Sequence, residues 1–426
     1  MPVPPTDRRQ VLAWSFYDWA NSAFATVVIA GFFPVFFKQF WAADLAVTDS
    51  TRWLGYTSST ASLILVCMAP LLGALADQLG AKKRFLLTFT TLGVLGTGGL
   101  FWLAAGHWVA ALALYLFGLV GFLASNVFYD SLITDVADPG DYERISSLGY
   151  ALGYLGGGLL FALNVVMVQF PASFGFADAG AAVQAAFLGV ALWWALFTLP
   201  LAFLVKEPPG LGEQSFGGAV RGAFSALAQT FRQVRSLRNT FLFLIAYWFY
   251  IDGVDTIVFM AVDFGLSLKF PAASLMVALL ITQFVGFPAA LIFGRLGSRW
   301  GPKPSILVAI GVYMLVVAAA SQMQQVSHFY ALAVAIGLVQ GGVQALSRAL
   351  FAGLIPAGQT AELFGFYNMV GKFGAVLGPF LVGTTAYLTG DPRLSLLPIL
   401  LLFLIGAVLL TRVDVAAGRA AAGAAG

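Results

Sequence analysis

Seven ionisable side chains interrupt long apolar runs of this sequence: Asp18, Asp130, Asp252, Asp255, Asp263, Arg348 and Lys372. A charge inside such a run is costly to bury, so it marks an ion path, a substrate contact or a paired structural charge. Asp252 and Asp255 are three residues apart in one run, and on a helix they share a face. Desolvation and like-charge crowding of two carboxylates favour a held proton. This pair is expected to carry a proton or to bind an amine, with a static salt bridge to Lys372 or Arg348 as the alternative. Asp18, Asn21 and Ser22, at i, i+3 and i+4, line one face of the run from Trp14 to Lys38. Asp18 and Asp130 lie nearer the ends of their runs, where solvation is the alternative to a buried role, and Asp263 is expected at the outer interface. A site with both signs of charge suits a zwitterion, with Lys372 or Arg348 for a carboxylate and Asp252 or Asp255 for an ammonium.

The segments that must position these residues are long. Hydrophobic residues make up 60% of the 426 and charged residues only 10%, which excludes a soluble globular domain of this size. Twelve apolar segments, each able to cross a hydrocarbon core of about 30 Å, are read at 14–41, 52–79, 83–105, 108–132, 143–170, 182–205, 239–264, 272–296, 303–324, 328–353, 359–388 and 393–412. They must be helices, because the runs exceed barrel strands and only helices or closed barrels satisfy the backbone in lipid. Sixteen Lys and Arg residues fall in connections on the side of the N-terminus, against Lys38, Arg52, Lys269 and Arg393 on the other. That bias places both termini in the cytoplasm of a multi-pass plasma (inner) membrane protein. The opening MPVPPTDRRQ is read as the flank of a retained first helix, since the run after it is too long for a signal peptide.

Several functions are disfavoured. Cys67 is the single cysteine, and His107 and His328 are too few to build a metal cluster. No metal, cofactor or nucleic acid is expected. The segment Gly365 to Lys372 resembles a phosphate loop but has one residue too many, lacks Ser or Thr after Lys372 and lies in an apolar helix, so nucleotide hydrolysis is not expected. The connection 206–238 is a basic cytoplasmic linker with a helix suited to an anionic leaflet, a partner site being the alternative. The expected domains are a six-helix bundle over 1–205, this linker, a second bundle over 239–412 and a disordered tail over 413–426.

The two halves repeat. GALADQLGAKKR (73–84) follows the second segment and GRLGSRWGPK (294–303) the eighth, sharing two glycines, a leucine, a polar fifth position and a cation at an offset of 221 residues. FYDWANSAF (16–24) likewise matches FYIDGVDTIVF (249–259) if one residue is skipped. A carboxylate such as Asp77 at a helix end can cap N–H groups of a neighbouring helix and meet a cation, while Gly73 and Gly80 let backbones approach. Lys82, Lys83 and Arg84 can equally serve only to fix topology. Gly73, Asp77, Gly80, Lys82, Lys83, Arg84, Arg295 and Arg299 are therefore the candidate cytoplasmic gate.

Twelve helices, the central loop and GALADQLGAKKR resemble the major facilitator superfamily along the whole chain. Within it, YDWANSAF (17–24) is similar to the branch containing the yeast autophagy-related vacuolar effluxer and its bacterial relatives. The sequence departs from the superfamily motif at Gln78, Ala81 and Ser298. The resemblance implies an all-α integral membrane fold of two pseudo-symmetric six-helix bundles, transport by alternating access and, for the branch, efflux of amino acids. By analogy, helices one, four, seven and ten line the cavity, with contributions from five, eight and eleven. Asp18, Asn21, Asn126, Asp130, Tyr150, Tyr154, Asp252, Asp255, Gln283, Gln340, Gln344, Arg348, Tyr367, Asn368 and Lys372 fall on those helices. The expected function is proton-coupled secondary transport of a small organic solute, in a monomer surrounded by lipid. Transport of sugars or drug-like compounds, or a non-transporting membrane sensor, are the alternatives; a catalytic site is not expected.

Overall fold

The first helix starts where the sequence supplies a cap. The Asp7 carboxylate accepts the Arg9 N–H at 2.9 Å, meeting a donor that a helix start leaves bare. Helix α1 therefore runs Arg8–Trp41, beginning well before the expected Trp14. Within it Phe33 donates its N–H to the Val28 carbonyl and Ala42 to Phe37, each five residues back. Phe24–Phe32 and Phe37–Trp41 are thus π-helical, which rotates the side chains that follow relative to a regular helix.

The computed structural model describes residues 7–207, 237–374, 377–390 and 393–425. The first half continues with α2 (Val47–Leu79), α3 (Lys82–Gly99), α4 (Trp108–Ser131), α5 (Tyr142–Gln169) and α6 (Ala179–Leu204). The second half holds α7 (Arg238–Ser267), α8 (Ala272–Trp300), α9 (Pro302–Ala320) and α10 (Val326–Gly353). It closes with α11, described over Thr360–Gly374 and Leu377–Thr389, and α12 (Ile399–Thr411). Twelve helices among the described residues are long and apolar enough to cross a membrane. Residues 208–236, with most of the expected linker and its Arg221, Arg232 and Arg235, lie outside the described residues, as does the side chain of Asp263.

The tail differs from expectation. Instead of disorder, Val415–Ala425 forms a further helix, α13. Its alanines favour helix, Asp414 caps it by accepting the Ala417 N–H at 3.0 Å, and Gly418 packs on Leu354 and Asn239.

Rings fill the interior of each bundle: Phe33 stacks on Tyr115 at 3.8 Å in the first and Tyr313 on Phe403 at 5.4 Å in the second. Leu95, Trp102, Phe203, Leu315 and Tyr387 point outward, as a lipid-facing surface allows. The bundles are pressed together at one face. Trp14, Tyr17, Phe128 and Tyr129 share one contiguous core with Phe243, Tyr250, Leu346 and Phe351. This face carries both described chain ends, since Gln10 accepts the Lys206 N–H and Asn239 accepts the Asp414 N–H, each at 3.0 Å.

Candidate functional site

Arg348 on α10 is 1% exposed, and its side-chain bonds are to the other bundle. Nη1 donates to Asp130 Oδ1 at 3.0 Å, Nε to Ser146 Oγ at 2.8 Å and Nη2 to the Ser146 carbonyl at 3.0 Å, with Asp18 Oδ2 at 3.5 Å. The guanidinium lies over the rings of Trp14, Tyr129 and Tyr150 at 4.8, 5.2 and 4.5 Å, contacts that strengthen once water is excluded. Tyr129 donates its hydroxyl to Asp18 Oδ2 at 2.8 Å, and Asn368 Nδ2 donates to Asp130 Oδ2 at 3.1 Å. Gly149 makes the room: a Cβ there would stand 2.7 Å from Asp18 Oδ2 and 3.2 Å from Arg348 Nη2.

This decides between the alternatives left open by the sequence. Asp18 and Asp130 are buried and not solvated, because α1 extends beyond Asp18 toward the terminal face and the second bundle covers Asp130. Arg348 pairs with them and not with Asp252 or Asp255, because its side chain leaves its own bundle.

Asp252 and Asp255 share a helix but not an environment. Both oxygens of buried Asp252 accept the Gly378 N–H of α11, at 3.1 and 3.0 Å. Asp255 is half-buried, and the charge of Lys372 acts on both it and Asp130. Among the described residues, the side chains of Asp255 and Lys372 have no hydrogen-bond partner. The packing of α7 on α11 thus gives the two carboxylates different partners, while the charge of Asp255 still acts on Asp252. Elsewhere Asn21 Nδ2 donates to Asn126 Oδ1 at 2.7 Å, and Gln283 Nε2 reaches across the bundles to Thr26 Oγ1 at 2.9 Å. Gln340 and Gln344 are half-buried on α10. Tyr367 stacks on Tyr247 at 4.3 Å, and Tyr154 packs against Gly286 and Gly341.

At the terminal face Asp77, near the end of α2, accepts the Ala361 N–H at 3.2 Å and the Glu362 N–H at 2.9 Å. It thus caps α11 of the other bundle. Gly80, at φ +59°, ends α2 in a left-handed turn that a side chain would strain. The turn brings Lys82 back to donate to Asp135 at 2.8 Å and Thr360 at 2.6 Å, with Asp77 at 3.7 Å. Lys83 stays within its own half, donating its backbone N–H to Glu207 and Nζ to the Val205 carbonyl at 2.8 Å. Burial pushes the Glu207 carboxyl up, opposed by that Lys83 N–H.

Arg84, Arg295 and Arg299 are exposed, with no ion pair or side-chain hydrogen bond among the described residues. They are not part of the junction, because their helix faces turn to the surface. Tyr129, Asp135, Glu143, Ser146 and Thr360 were missed by sequence reasoning. Only the carboxylates of the short α4–α5 connection carried a signal, being acidic residues opposite the basic 82–84 run.

Asp77→Asn keeps an acceptor but removes the charge that faces Lys82 and the start of α11. The expected loss is about 1 kcal/mol of closure, seen as slower solute exchange in proteoliposomes at unchanged membrane insertion. An unaltered exchange rate would remove Asp77 as a latch.

Solved structures share this architecture. The crystal structure of the human organic anion transporter MFSD10 (TETRAN) matches at a TM-score of 0.70 and 15% identity, covering 95% of this chain and 99% of its own. The proton:xylose symporter XylE, of the major facilitator superfamily, matches at 0.68 and 13%, covering 95% and 94%. The fold is therefore that of a major facilitator transporter, two six-helix bundles. The family model described as "Vacuole effluxer Atg22 like" matches residues 47–141 and 135–423, and the chain belongs to that family. An MFS-type transporter of Bacillus subtilis (strain 168), YxiO, is 37% identical over 415 residues, 94% of each chain. The protein is a multi-pass transporter and not an enzyme.

Proposed function

We propose that the protein exports a small zwitterionic solute of the amino-acid class across the plasma membrane, by alternating access driven by protons, with both termini in the cytoplasm. The observation that carries this reading is the charge balance of the interior. Asp18, Asp130, Asp252 and Asp255 set four carboxylates against the two cations Arg348 and Lys372. An unpaired buried charge is costly, and a proton or a substrate ammonium supplies the missing positive charge. Of the four groups suited to a zwitterion, Arg348 and Asp252 are already bonded within the fold. Lys372 and Asp255 remain to receive the substrate carboxylate and ammonium, with Asn21, Asn126, Gln340, Gln344, Tyr367 and Asn368 along the pathway. The effluxer family supports the outward direction, and coupling to protons is named for the structural relative XylE.

The test is uptake of a labelled amino-acid mixture into proteoliposomes, with and without an imposed pH gradient. Accumulation is expected to need the gradient and to fall about tenfold or more in Asp255→Asn, the loss of one charge-assisted contact. Absence of uptake above empty liposomes, for folded protein, overturns the amino-acid assignment. Sugar uptake in the same vesicles would replace it with the carbohydrate reading.

A further inference from the structure

On the terminal face the bundles meet at two helix pairs related by the internal repeat, α2 against α11 and α8 against α5. The first is held by Asp77 and Lys82. The second is also close: a Cβ at Gly294 would stand 2.7 Å from Ser147 Cβ, and one at Gly297 would stand 3.3 Å from Glu143 Cβ. Yet the position equivalent to Asp77 is Ser298, which donates to the Gly294 carbonyl of its own helix at 3.0 Å. Lys303, the equivalent of Lys82, donates instead to the Thr411 and Val413 carbonyls at 2.8 and 2.7 Å. Among the described residues, neither of the two bonds to the other bundle.

The charge at this second junction is Glu143, 5% exposed in the first turn of α5. Its partner comes from the tail: Arg419 Nη2 on α13 lies 3.0 Å from Glu143 Oε1. The rest of α13 is fastened to the second bundle. Asn239 of α7 holds the Asp414 N–H, Gly418 packs on Leu354, and a Cβ at Gly353 would stand 3.2 Å from Arg419 Nε. The pair therefore joins an element anchored in one bundle to a buried carboxylate of the other.

We propose that the C-terminal helix is the second latch of this face, with Arg419 supplying from the tail the bond that position 298 does not make. Separation of the bundles here breaks the Arg419–Glu143 pair, which disfavours opening by the modest worth of a half-exposed ion pair. Arg419 and Glu143 are positioning residues: they bias the equilibrium between closed and open faces without touching solute.

The experiment is a spin-label distance measurement on the full chain in lipid nanodiscs. Labels go on Arg84→Cys and Arg299→Cys, one exposed site per bundle, in a Cys67→Ser background that removes the exposed native thiol. Arg419→Gln is expected to raise the ratio of long to short distances about fivefold, the size of a half-exposed ion pair, and Arg419→Lys to return it toward the parent. A purely structural role for the tail would move neither. Superposition of the Arg419→Gln and parent distributions, or a lysine variant as open as the glutamine one, overturns the proposal. The readout needs no substrate, so it is independent of the solute assignment.

Discussion

Arg348→Met is expected to abolish transport and to destabilise the purified protein by about 3–5 kcal/mol, because it leaves two buried carboxylates with no cation between them. Asp18 and Asp130 accept from Arg348 at 3.5 and 3.0 Å, and the Ser146 carbonyl and hydroxyl lose their donors at the same time. Arg348→Lys keeps a charge but cannot span Asp130, Asp18 and Ser146 at once, since an ammonium lacks the planar fork. It should fall between the methionine variant and the parent. Adding Asp18→Asn and Asp130→Asn to Arg348→Met removes the stranded charges and is expected to recover most of the stability but none of the transport. Thermal melts in one detergent decide this. A melting temperature for Arg348→Met within about 2 °C of the parent sinks the assignment of Arg348 as the clamp between bundles.

Gly73→Ala is expected to prevent the terminal face from closing, a larger effect than its single methyl suggests. A Cβ at position 73 would lie 2.3 Å from the Ala361 carbonyl oxygen and 2.7 Å from Glu362 Cα. Both are backbone atoms and cannot rotate aside, so α2 and α11 must separate. The Asp77 carboxylate then loses the Ala361 and Glu362 N–H groups, and Lys82 loses Thr360. Solute exchange is expected to fall about tenfold or more, as overpacking at a rigid contact costs about 1–3 kcal/mol. Lys82, buried in the parent, should become reactive toward a water-soluble acylating reagent, read by mass spectrometry. Gly383→Ala is the control, because a Cβ there meets nothing within 4 Å. Equal lysine labelling in Gly73→Ala and the parent would show that the contact is looser than its geometry.

The sequence by itself determined the architecture. Twelve apolar runs admit no other spanning structure, since lipid offers the backbone no partners, and the repeated glycine and cation pattern divides them into two related halves. It also singled out Asp77 and Lys82, which meet at the first junction, although the cations there could equally have served only to fix topology. The limits of individual elements depended on weaker signals. Asp7 carried α1 back to Arg8, and Asp414 and the alanines made a helix of the tail, through single caps that hydropathy does not register.

Only the tertiary structure decided which charges meet. Arg348 reaches Asp18 across 330 residues of sequence and Asp130 across 218, and Asp252 turns to a backbone N–H 126 residues away while Asp255, one turn on, does not. Such pairings depend on the rotation of each helix about its axis and on how closely the glycines at 73, 149 and 365 let neighbours approach. A hydrophobic pattern specifies a helix and its length. The partner of each buried charge is chosen by helix phase and bundle docking, which are settled by packing summed over the whole molecule.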